Sequence, residues 1–418
     1  MGLRGVAATG RDREPAADRY ARYRAAIAGE ALPLAIVDLD AFERNVDAVV
    51  LEVEAGARAT IRVATKSLRC LDLLRRVAAR GRGLVRGALC VSAREAAFLA
   101  SNGVDDVLVA YPSAQPSDAA IVAASNAAGR RVAVTVDARE HVDVLARAAT
   151  AASTRVPVVI DVDVSLRALG DRVHLGARRS PIAAPDEAVA IARAIAEHAS
   201  LELAGVLAYE AQVAGVPDVD AGRPSVTPLR RAARRALALD AQRRRAAVTE
   251  GLARAGFALA LVNGGGSGSL AWSARDASVT EVAVGSAFVQ SHLFDGFRDL
   301  DGGDPAIAFA LQAARRPAHG FVTCLGGGFV ASGAAGLDRL PKPWLPAGLA
   351  LTPLEGAGEV QTPLTVPPGV EIAIGDPIFF RPAKAGELAE HVSTYLLVRG
   401  DRVEARAPTY RGEGLHIF

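Results

Sequence analysis

The stretch Ile61-Arg62-Val63-Ala64-Thr65-Lys66-Ser67 is a short, mostly apolar run with an amine at its end. Eight other short runs with few polar residues occur before residue 285, and helical patterns separate most of them. Runs that are almost continuously apolar are typical of strands buried on both faces. Because such strands alternate here with helices, the sequence predicts an α/β fold with a parallel sheet.

The number of these strands predicts how the sheet closes. A (β/α)8 TIM-type barrel needs eight strands and about 250 residues, which is close to what the sequence offers. We expect the surplus strand, Leu34–Val37, to pair outside the barrel, and a doubly wound open sheet is the alternative. The candidate strands are Leu34–Val37, Ile61–Thr65, Ala88–Ser92, Asp106–Ala110, Val132–Val136, Val156–Asp161, Leu203–Ala208, Leu259–Val262 and Glu281–Val284.

The character of the sequence changes near residue 300. Asp299–Pro305 is a polar, glycine-rich break, and short alternating runs without a helical period follow it. Such runs predict β-structure, and they include Leu349–Leu354 and Val370–Ile374. We therefore predict a helical or partly disordered leader over residues 1–30, the barrel over residues 31–300, and a smaller C-terminal β domain over residues 301–418.

Composition excludes several classes of protein. Of the 418 residues, 50% are hydrophobic and 22% are charged, which is typical of a globular chain. A net charge of +2 is too small to favour nucleic acid or an anionic membrane as a partner. No apolar run reaches the roughly 18 residues of a membrane span. The three cysteines are far apart and form no disulfide or zinc motif, so we expect a reducing cytoplasm.

Lysine is rare in this chain, which makes Lys66 conspicuous. Only three of the 48 basic residues are lysines, namely Lys66, Lys342 and Lys384. Arginine cannot be deprotonated at any useful pH and cannot replace a lysine that forms a Schiff base. A lysine kept at the end of a predicted strand therefore indicates a covalent role for its amine. The alternative is a solvated residue at a strand end.

Further polar groups follow the later strands, where barrel enzymes carry their catalytic residues. Arg167 comes after the sixth candidate strand, and Tyr209 comes directly after the seventh. The stretch Asn263-Gly264-Gly265-Gly266-Ser267-Gly268-Ser269 follows the eighth, and its backbone N–H groups can bind an anion. A flexible connector is the alternative, but this position in a barrel favours phosphate.

The glycine-rich stretch does not fit other nucleotide motifs. No Gly-Lys-Ser/Thr follows it, as a Walker motif requires, and it opens no N-terminal βαβ unit, as a dinucleotide fingerprint requires. A strand-end lysine combined with a phosphate cradle instead indicates pyridoxal phosphate, because the lysine can form the imine while the loop holds the phosphate.

From about residue 30 onward, the sequence resembles the fold-type III pyridoxal-phosphate enzymes. It is most similar to the branch with D-threonine aldolase, D-serine dehydratase and the bacterial proteins called amino acid deaminase/aldolase. The family fold is a barrel followed by a β domain, as the residue pattern predicts. The resemblance rests on five stretches: residues 64–67 (ATKS), 163–170 (DVSLRALG), 209–212 (YEAQ), 263–267 (NGGGS) and 355–364 (EGAGEVQTPL).

The resemblance implies roles for particular residues. Lys66 would form the Schiff base with the cofactor and act as a base. Arg167 would lie near the phenolic oxygen of the cofactor, and Tyr209 near its pyridine nitrogen. The phosphate would be held by amides of the glycine-rich loop, with help from the loop after the last barrel strand: Gly265, Gly266 and Ser267, then Gly285 and Ser286.

The metal site of the family is matched incompletely. Aldolase and dehydratase members bind a divalent metal through His-x-Asp or His-x-Cys in the β domain. The corresponding candidate here is His391-Val392-Ser393, and serine is a poor metal ligand. A site for Mn, Mg or Zn at His391 therefore competes with a solvated histidine. Lys384 and Glu387 are other polar groups nearby.

The resemblance implies a lyase that cleaves β-hydroxy-D-amino acids to glycine and an aldehyde. The close alternative is a D-amino acid dehydratase that releases ammonia and a 2-oxo acid. A racemase needs a second base, for which the β domain offers only the tyrosines Tyr395 and Tyr410. A catalytically degenerate relative is the remaining alternative. By the same resemblance, we expect a homodimer with a small-molecule amino acid substrate.

Overall fold

The computed structural model describes residues 14–169, 172–219, 224–297, 300 and 303–417. Residues 1–13 of the predicted leader therefore lie outside the described residues. The chain divides into two compact units. One, the barrel unit, comprises Val46–Ala287 with the described parts of 296–299 and 414–418. The other, the β unit, comprises the described residues up to Asn45, Phe288–Asp295, and the described residues from Leu300 to Glu413.

Twelve helices occur in the described part of the chain. No helix there is both long and apolar enough to cross a membrane. In chain order they are α1 Ala16–Ala26, α2 Leu39–Gly56, α3 Leu71–Arg80, α4 Ala93–Ser101, α5 Pro116–Ala127, α6 Arg139–Ala151, α7 Pro185–Ala196, α8 Ala211–Ala214, α9 Thr227–Arg254, α10 Leu270–Ser273, α11 Ser286–Val289 and α12 Ala385–Leu388.

Most strands before residue 285 are short and parallel, with β1 and the antiparallel pair β7–β8 as exceptions, whereas those after residue 306 are mainly antiparallel. In chain order they are β1 Leu34–Asp38, β2 Thr60–Ala64, β3 Val85–Cys90, β4 Val107–Val109, β5 Val132–Val136, β6 Val156–Asp161, β7 Leu166–Ala168, β8 Val173–Leu175, β9 Leu201–Leu207, β10 Leu261–Gly264, β11 Glu281–Val284, β12 Ile307–Arg315, β13 Phe321–Leu325, β14 Lys342–Leu345, β15 Ala350–Leu351, β16 Gln361–Thr365, β17 Pro377–Arg381, β18 Thr394–Arg399 and β19 Arg402–Pro408.

Eight parallel strands close into a barrel, which confirms the predicted TIM-type architecture. The order around the barrel is β2-β3-β4-β5-β6-β9-β10-β11, and β11 pairs with β2 to complete the circle. In that closing pair, Val284 lies opposite Val63. The small antiparallel pair β7–β8 interrupts the chain between β6 and β9. Valine dominates these strands because a β-branched side chain suits a strand buried on both faces.

The first strand lies outside the barrel, as predicted. β1 pairs antiparallel with β12 and parallel with β18, so it is a central strand of the nine-stranded sheet of the β unit. Helix α1 belongs to the same unit, and its Tyr23 packs in the core with Ile36 and Phe379. The Tyr23 hydroxyl donates a 2.8 Å hydrogen bond to Asp38 at the end of β1.

One strand prediction for the β unit is wrong, and a second is too long. Val370–Ile374 is irregular, because it lies between Gly369 and Gly375, which both have positive φ. An amide within it bonds the side chain of Asp376, so the backbone turns there and does not pair. The predicted strand Leu349–Leu354 shrinks to Ala350–Leu351. The strands that the sequence pattern missed are β12, β14, β16 and β17, of which the first is alanine-rich and the others contain proline.

A buried ion cluster joins the barrel strands β2, β10 and β11 to Asp106, the residue before β4. The Arg62 side chain on β2 is 1% exposed, and it binds both carboxylate oxygens of Glu281 at 2.6 and 2.9 Å. It also donates to the carbonyl of Asp106 at 2.6 Å and lies 3.2 Å from the carboxylate of that residue. The Asn263 amide donates to Glu281 at 2.8 Å. Bidentate bonds of this kind let the barrel hold charged groups away from water.

We predict that Arg62→Leu strongly destabilises the protein, because it leaves the buried Glu281 carboxylate without its cation. Removing one partner of a buried ion pair costs about 3–5 kcal/mol. The control is Arg80→Leu, which removes a surface pair with Asp47 and should cost about 1 kcal/mol or less. Urea unfolding followed by circular dichroism measures both. Equal losses for the two variants would contradict the importance of the buried cluster.

Candidate active site at the barrel mouth

Lys66 lies at the C-terminal end of β2, in a single 3-10 turn over Thr65–Ser67. Its neighbours Thr65 and Ser67 are buried, whereas the Lys66 side chain is exposed. The Thr65 hydroxyl donates to the Glu95 carboxylate at 2.5 Å and lies 3.1 Å from the carbonyl of Leu89. The turn is thus anchored at the residue before the lysine. It presents the amine at the barrel mouth, which is the set of loops that follow the C-terminal ends of the eight strands.

The loop after β11 lies directly beside the Lys66 turn. The hydroxyl oxygens of Ser67 and Ser286 are 2.9 Å apart. Gly285 is needed for this approach, because a methyl group on it would lie 2.5 Å from the carbonyl oxygen of Ala64 and 2.8 Å from the Ser67 hydroxyl. Distances under about 3 Å cannot be accommodated without moving the backbone. The structure therefore brings together Lys66, Gly285 and Ser286 from the predicted site.

The glycine-rich loop after β10 joins this group through Ser267. The Ser267 hydroxyl accepts a 2.9 Å hydrogen bond from the amide of Ala287. Gly265 has a φ of +84°, a conformation that glycine adopts without strain. Gly265 and Ser267 are buried, whereas Gly266 and Ser286 are partly exposed. The loops after β10, β11 and β2 are therefore connected side by side at the barrel mouth.

Two of the three amides predicted to bind phosphate have partners within the protein. The Gly265 amide donates to the Glu210 carboxylate at 3.1 Å, and the Gly266 amide donates to the Ser269 hydroxyl at 3.1 Å. These bonds shape the loop and leave Gly266 as its exposed point. The amides of Gly265 and Gly266 therefore stabilise the conformation of the glycine-rich loop.

Tyr209 follows β9, and its ring lies against the glycine-rich loop. A methyl group placed on Gly266 would be 3.1 Å from Cε2 of Tyr209, so a larger residue there would push the ring away by a few tenths of an ångström. Burial, with a smaller contribution from the Glu210 charge, raises the pKa of Tyr209 to about 12. The phenol is consequently neutral at every pH at which the protein is expected to work.

Glu210 is the buried centre of this region, and the sequence pattern did not single it out for a role. Its carboxylate accepts hydrogen bonds from the Gly265 amide and from the hydroxyls of Ser269 (2.7 Å) and Ser273. It also forms a buried ion pair with Arg245 of α9 at 2.5 Å. One carboxylate thereby fixes the whole glycine-rich loop. Its position beside Tyr209, directly after a strand, was the available signal.

Arg167 lies in the β7–β8 hairpin and is paired with an acidic residue. Its guanidinium binds the buried carboxylate of Asp163 at 2.8 and 2.5 Å, and the Ser180 carbonyl at 3.2 Å. A second arginine, Arg179, follows the hairpin and was missed. Arg179 binds the carboxylate of Asp161 at 2.9 Å, and its charge lowers the pKa of Tyr209 against the larger effect of burial.

His391 lies in the β unit, where its ring stacks on Phe329 with 4.6 Å between the ring centroids. Partial burial lowers the pKa of this histidine. Within the described residues, no group of three or more histidine, cysteine, aspartate or glutamate side chains is arranged to hold a metal ion. Nearby, the Lys384 amine donates to the carbonyl of Ser332 at 2.8 Å, and Glu387 accepts from the hydroxyl of that serine.

We predict that Glu210→Gln loosens the glycine-rich loop, because the amide cannot accept all the bonds that the carboxylate accepts. Leaving a buried partner unsatisfied costs about 1–3 kcal/mol, which corresponds to roughly a fivefold to hundredfold rise in local opening. Hydrogen exchange of peptides that cover residues 264–273 measures this effect. Glu202→Gln, which changes an exposed carboxylate on β9, the strand before Glu210, is the matched control. Unchanged exchange in Glu210→Gln would show that the carboxylate does not hold the loop.

Comparison with known proteins supplies the family. The model of the alanine racemase N-terminal domain matches residues 37–291. No curated protein matches the chain.

Solved structures share the fold over nearly the whole chain. D-threonine aldolase from Filomicrobium marinum has 22% identity and a TM-score of 0.77, over 92% of this chain and 97% of that one. D-threo-3-hydroxyaspartate dehydratase from Delftia sp. HT23 has 18% identity and a TM-score of 0.74, over 92% and 98%. Alanine racemase from Clostridium difficile 630 has 12% identity and a TM-score of 0.64, over 90% and 98%. At these identities, the likeness shows the fold.

The family match covers more than half of the chain, and its residues include Lys66, Tyr209 and the glycine-rich loop. This chain therefore belongs to the alanine racemase N-terminal domain family, a fold family of enzymes that use pyridoxal phosphate.

Proposed function

We propose that the protein is a pyridoxal-phosphate-dependent lyase that cleaves β-hydroxy-D-amino acids to glycine and an aldehyde. The observation that carries this proposal is the connection of the Lys66 turn to the loops after β10 and β11 through Ser67, Ser286 and Ser267. It supports an amine and an anion cradle on one side of the barrel mouth, in a chain of this family.

The residues of this region fit the cofactor. A side chain on Gly266 would fill the space beside Tyr209, so the loop keeps an open, partly exposed point at which a phosphate group can approach the backbone. The Ser286 hydroxyl is a further donor on the adjoining loop. In this proposal, Lys66 holds the cofactor covalently, and Gly265, Gly266, Ser267, Gly285 and Ser286 form the phosphate cradle. When bound, pyridoxal phosphate stabilises negative charge at Cα of the substrate.

Tyr209 and Arg167 complete the proposed contacts to the cofactor. With a pKa of about 12, the Tyr209 phenol keeps its own proton and meets the pyridine nitrogen as a neutral group. A neutral partner does not hold a proton on that nitrogen, in contrast to a carboxylate. Arg167, positioned by Asp163, is proposed to lie near the phenolic oxygen.

In this proposal, the Lys66 amine is the group that transfers protons. The Lys66 amine would accept the proton of the β-hydroxyl group. The Cα–Cβ bond then breaks, the aldehyde leaves, and the electron pair remains on the Cα side. Protonation of Cα yields glycine. Lysine suits this role because its amine can lose and regain a proton, which arginine cannot do.

The alternative function is dehydration followed by loss of ammonia. It differs in which bond breaks, since the proton leaves Cα and hydroxide leaves Cβ. The likeness to the fold of a D-threo-3-hydroxyaspartate dehydratase is the observation that supports this alternative reaction. A racemase is disfavoured, because both candidate second bases are buried: Tyr395 is 0% exposed and Tyr410 is 1% exposed.

Other features of the proposal rest on the resemblance. They are a homodimer, a small-molecule amino acid substrate and a divalent metal at His391. A location in the cytoplasm is proposed from the cysteine pattern. The stacking of His391 on Phe329 does not by itself support the metal.

Product analysis with D-threonine tests the proposed reaction. We expect glycine and acetaldehyde when pyridoxal phosphate is present, and no turnover of L-threonine. Parallel reactions contain manganese or EDTA, and loss of activity in EDTA would support a metal at His391. Ammonia and 2-oxobutanoate would replace the aldolase proposal with the dehydratase alternative. Conversion of D-threonine to L-allo-threonine, the epimer at Cα, without cleavage would overturn both.

We predict that Lys66→Ala abolishes covalent attachment of the cofactor and lowers turnover below detection. Borohydride reduction of the wild-type protein with pyridoxal phosphate should add the cofactor mass to the peptide that contains Lys66. Lys342→Ala is the matched control, because this lysine forms only an exposed pair with Asp295 among the contacts described for it. If the reduced cofactor were found on Lys342 or Lys384, the assignment of Lys66 would be wrong.

A further inference from the structure

Arg179 is the second arginine at the barrel mouth, and the function proposed above gives it no role. It is held by the ends of two barrel strands. Its Nη2 donates to the Asp161 carboxylate and to the Ala110 carbonyl, both at 2.9 Å, and its Nε lies 3.2 Å from Asp161. Asp161 is the last residue of β6, and Ala110 follows β4. These contacts put the guanidinium at the C-terminal ends of the strands, in the same set of loops as Lys66 and Tyr209.

Arg179 is also electrostatically linked to the proposed cofactor site. Its positive charge is one of the influences on the Tyr209 phenol, and it acts to lower the pKa of that group. Tyr209 touches the glycine-rich loop at Gly266. A cation on this side of the barrel mouth therefore lies within electrostatic range of the Tyr209 ring.

The guanidinium of Arg179 has donor capacity left for a ligand. An arginine carries five N–H groups in a planar fork. Asp161 and Ala110 occupy Nε and Nη2, and no described residue accepts a hydrogen bond from Nη1. The side chain is 20% exposed, and the exposed ring of Tyr111 lies 5.3 Å from the guanidinium carbon. Packing on one face and an ion pair along one edge hold the group rigid while one edge stays accessible.

The nearby acidic groups already have partners. Asp161 pairs with Arg179 itself, and burial raises the pKa of Asp161 to about 6. Asp137 lies 3.1 Å from Nδ1 of His141. An anion that approaches the free edge of Arg179 thus meets a guanidinium that Asp161 orients. The other nearby carboxylate, that of Asp137, is paired with His141.

We propose that Arg179 binds the carboxylate of the amino acid substrate and that Asp161 is the positioning residue that holds Arg179 in place. This inference rests on the proposed function, since it names the group that orients the substrate of that reaction. Arginine suits the task because its fork matches the two oxygens of a carboxylate. A fixed carboxylate decides which bond of Cα points toward the Lys66 amine.

The test compares the binding of a carboxylate with that of its neutral amide. D-alanine and D-alaninamide have no β-hydroxyl group, so neither can be cleaved between Cα and Cβ. Calorimetry on the cofactor-loaded protein gives both dissociation constants, and absorbance gives the cofactor content. For Arg179→Gln, we expect D-alanine to bind at least tenfold more weakly, which is about 1.4 kcal/mol. Binding of D-alaninamide should change less than about twofold, with cofactor content unchanged.

Two further variants keep the test specific. Arg178→Gln removes the neighbouring exposed arginine and should leave both constants unchanged. Arg179→Lys keeps the charge without the fork, and it should retain part of the preference for D-alanine even if Arg179→Gln is poorly folded.

The outcomes separate this inference from the proposed function. Equal weakening of both compounds, loss of cofactor from Arg179→Gln and Arg179→Lys, or unchanged D-alanine binding would overturn the role of Arg179 alone. If wild-type protein loaded with cofactor bound neither compound, the proposed function and this inference would both be overturned.

Discussion

The buried Glu210 carboxylate is the contact on which the candidate site depends. It accepts hydrogen bonds from one amide and one hydroxyl of the glycine-rich loop and from the Ser273 hydroxyl of α10, and its charge is balanced by Arg245 from α9. A charge without such partners could not be buried at this depth. Because Glu210 holds the loop by hydrogen bonds, the loop can contain glycine at its partly exposed position, Gly266, and still keep one conformation. Glu210 also adjoins Tyr209, and its charge adds to the larger effect of burial in raising the pKa of that phenol.

The closure of the barrel between β11 and β2 supplies the second constraint. This pairing sets the ends of the two strands side by side, and Gly285 removes the side chain that would keep them apart. Lys66 and Ser286, which are 220 residues apart in sequence, become neighbours only through it. The buried cluster around Arg62 and Glu281 joins the same two strands. The pair β2–β11 is thus stabilised by the Arg62–Glu281 ion pair within the barrel and by the close backbone packing at Gly285 at the barrel mouth.

Some of the candidate site could be predicted from sequence, and some could not. Lys66 and the glycine-rich loop carry strong local signals, namely a rare amine at a strand end and four glycines after a strand. Arg179 carries no such signal, because this chain has many arginines and nothing local distinguishes this one. Its importance comes from Asp161 and Ala110, which belong to other strands. The same holds for Glu210, whose partners come from three later segments.

The sequence by itself determined the eight barrel strands, the exclusion of the first strand from the barrel, and the lysine at the end of β2. These features follow from local apolar runs and from one rare residue type, and both can be recognised without knowing any distant contact. Only the tertiary structure decided which strands the β unit uses. β12 is rich in alanine, whereas β14, β16 and β17 contain proline, so pairing with neighbours and not intrinsic propensity makes them strands. It also decided which side chains meet at the barrel mouth, because ion pairs and shared hydrogen bonds depend on positions in space that the order of residues does not reveal.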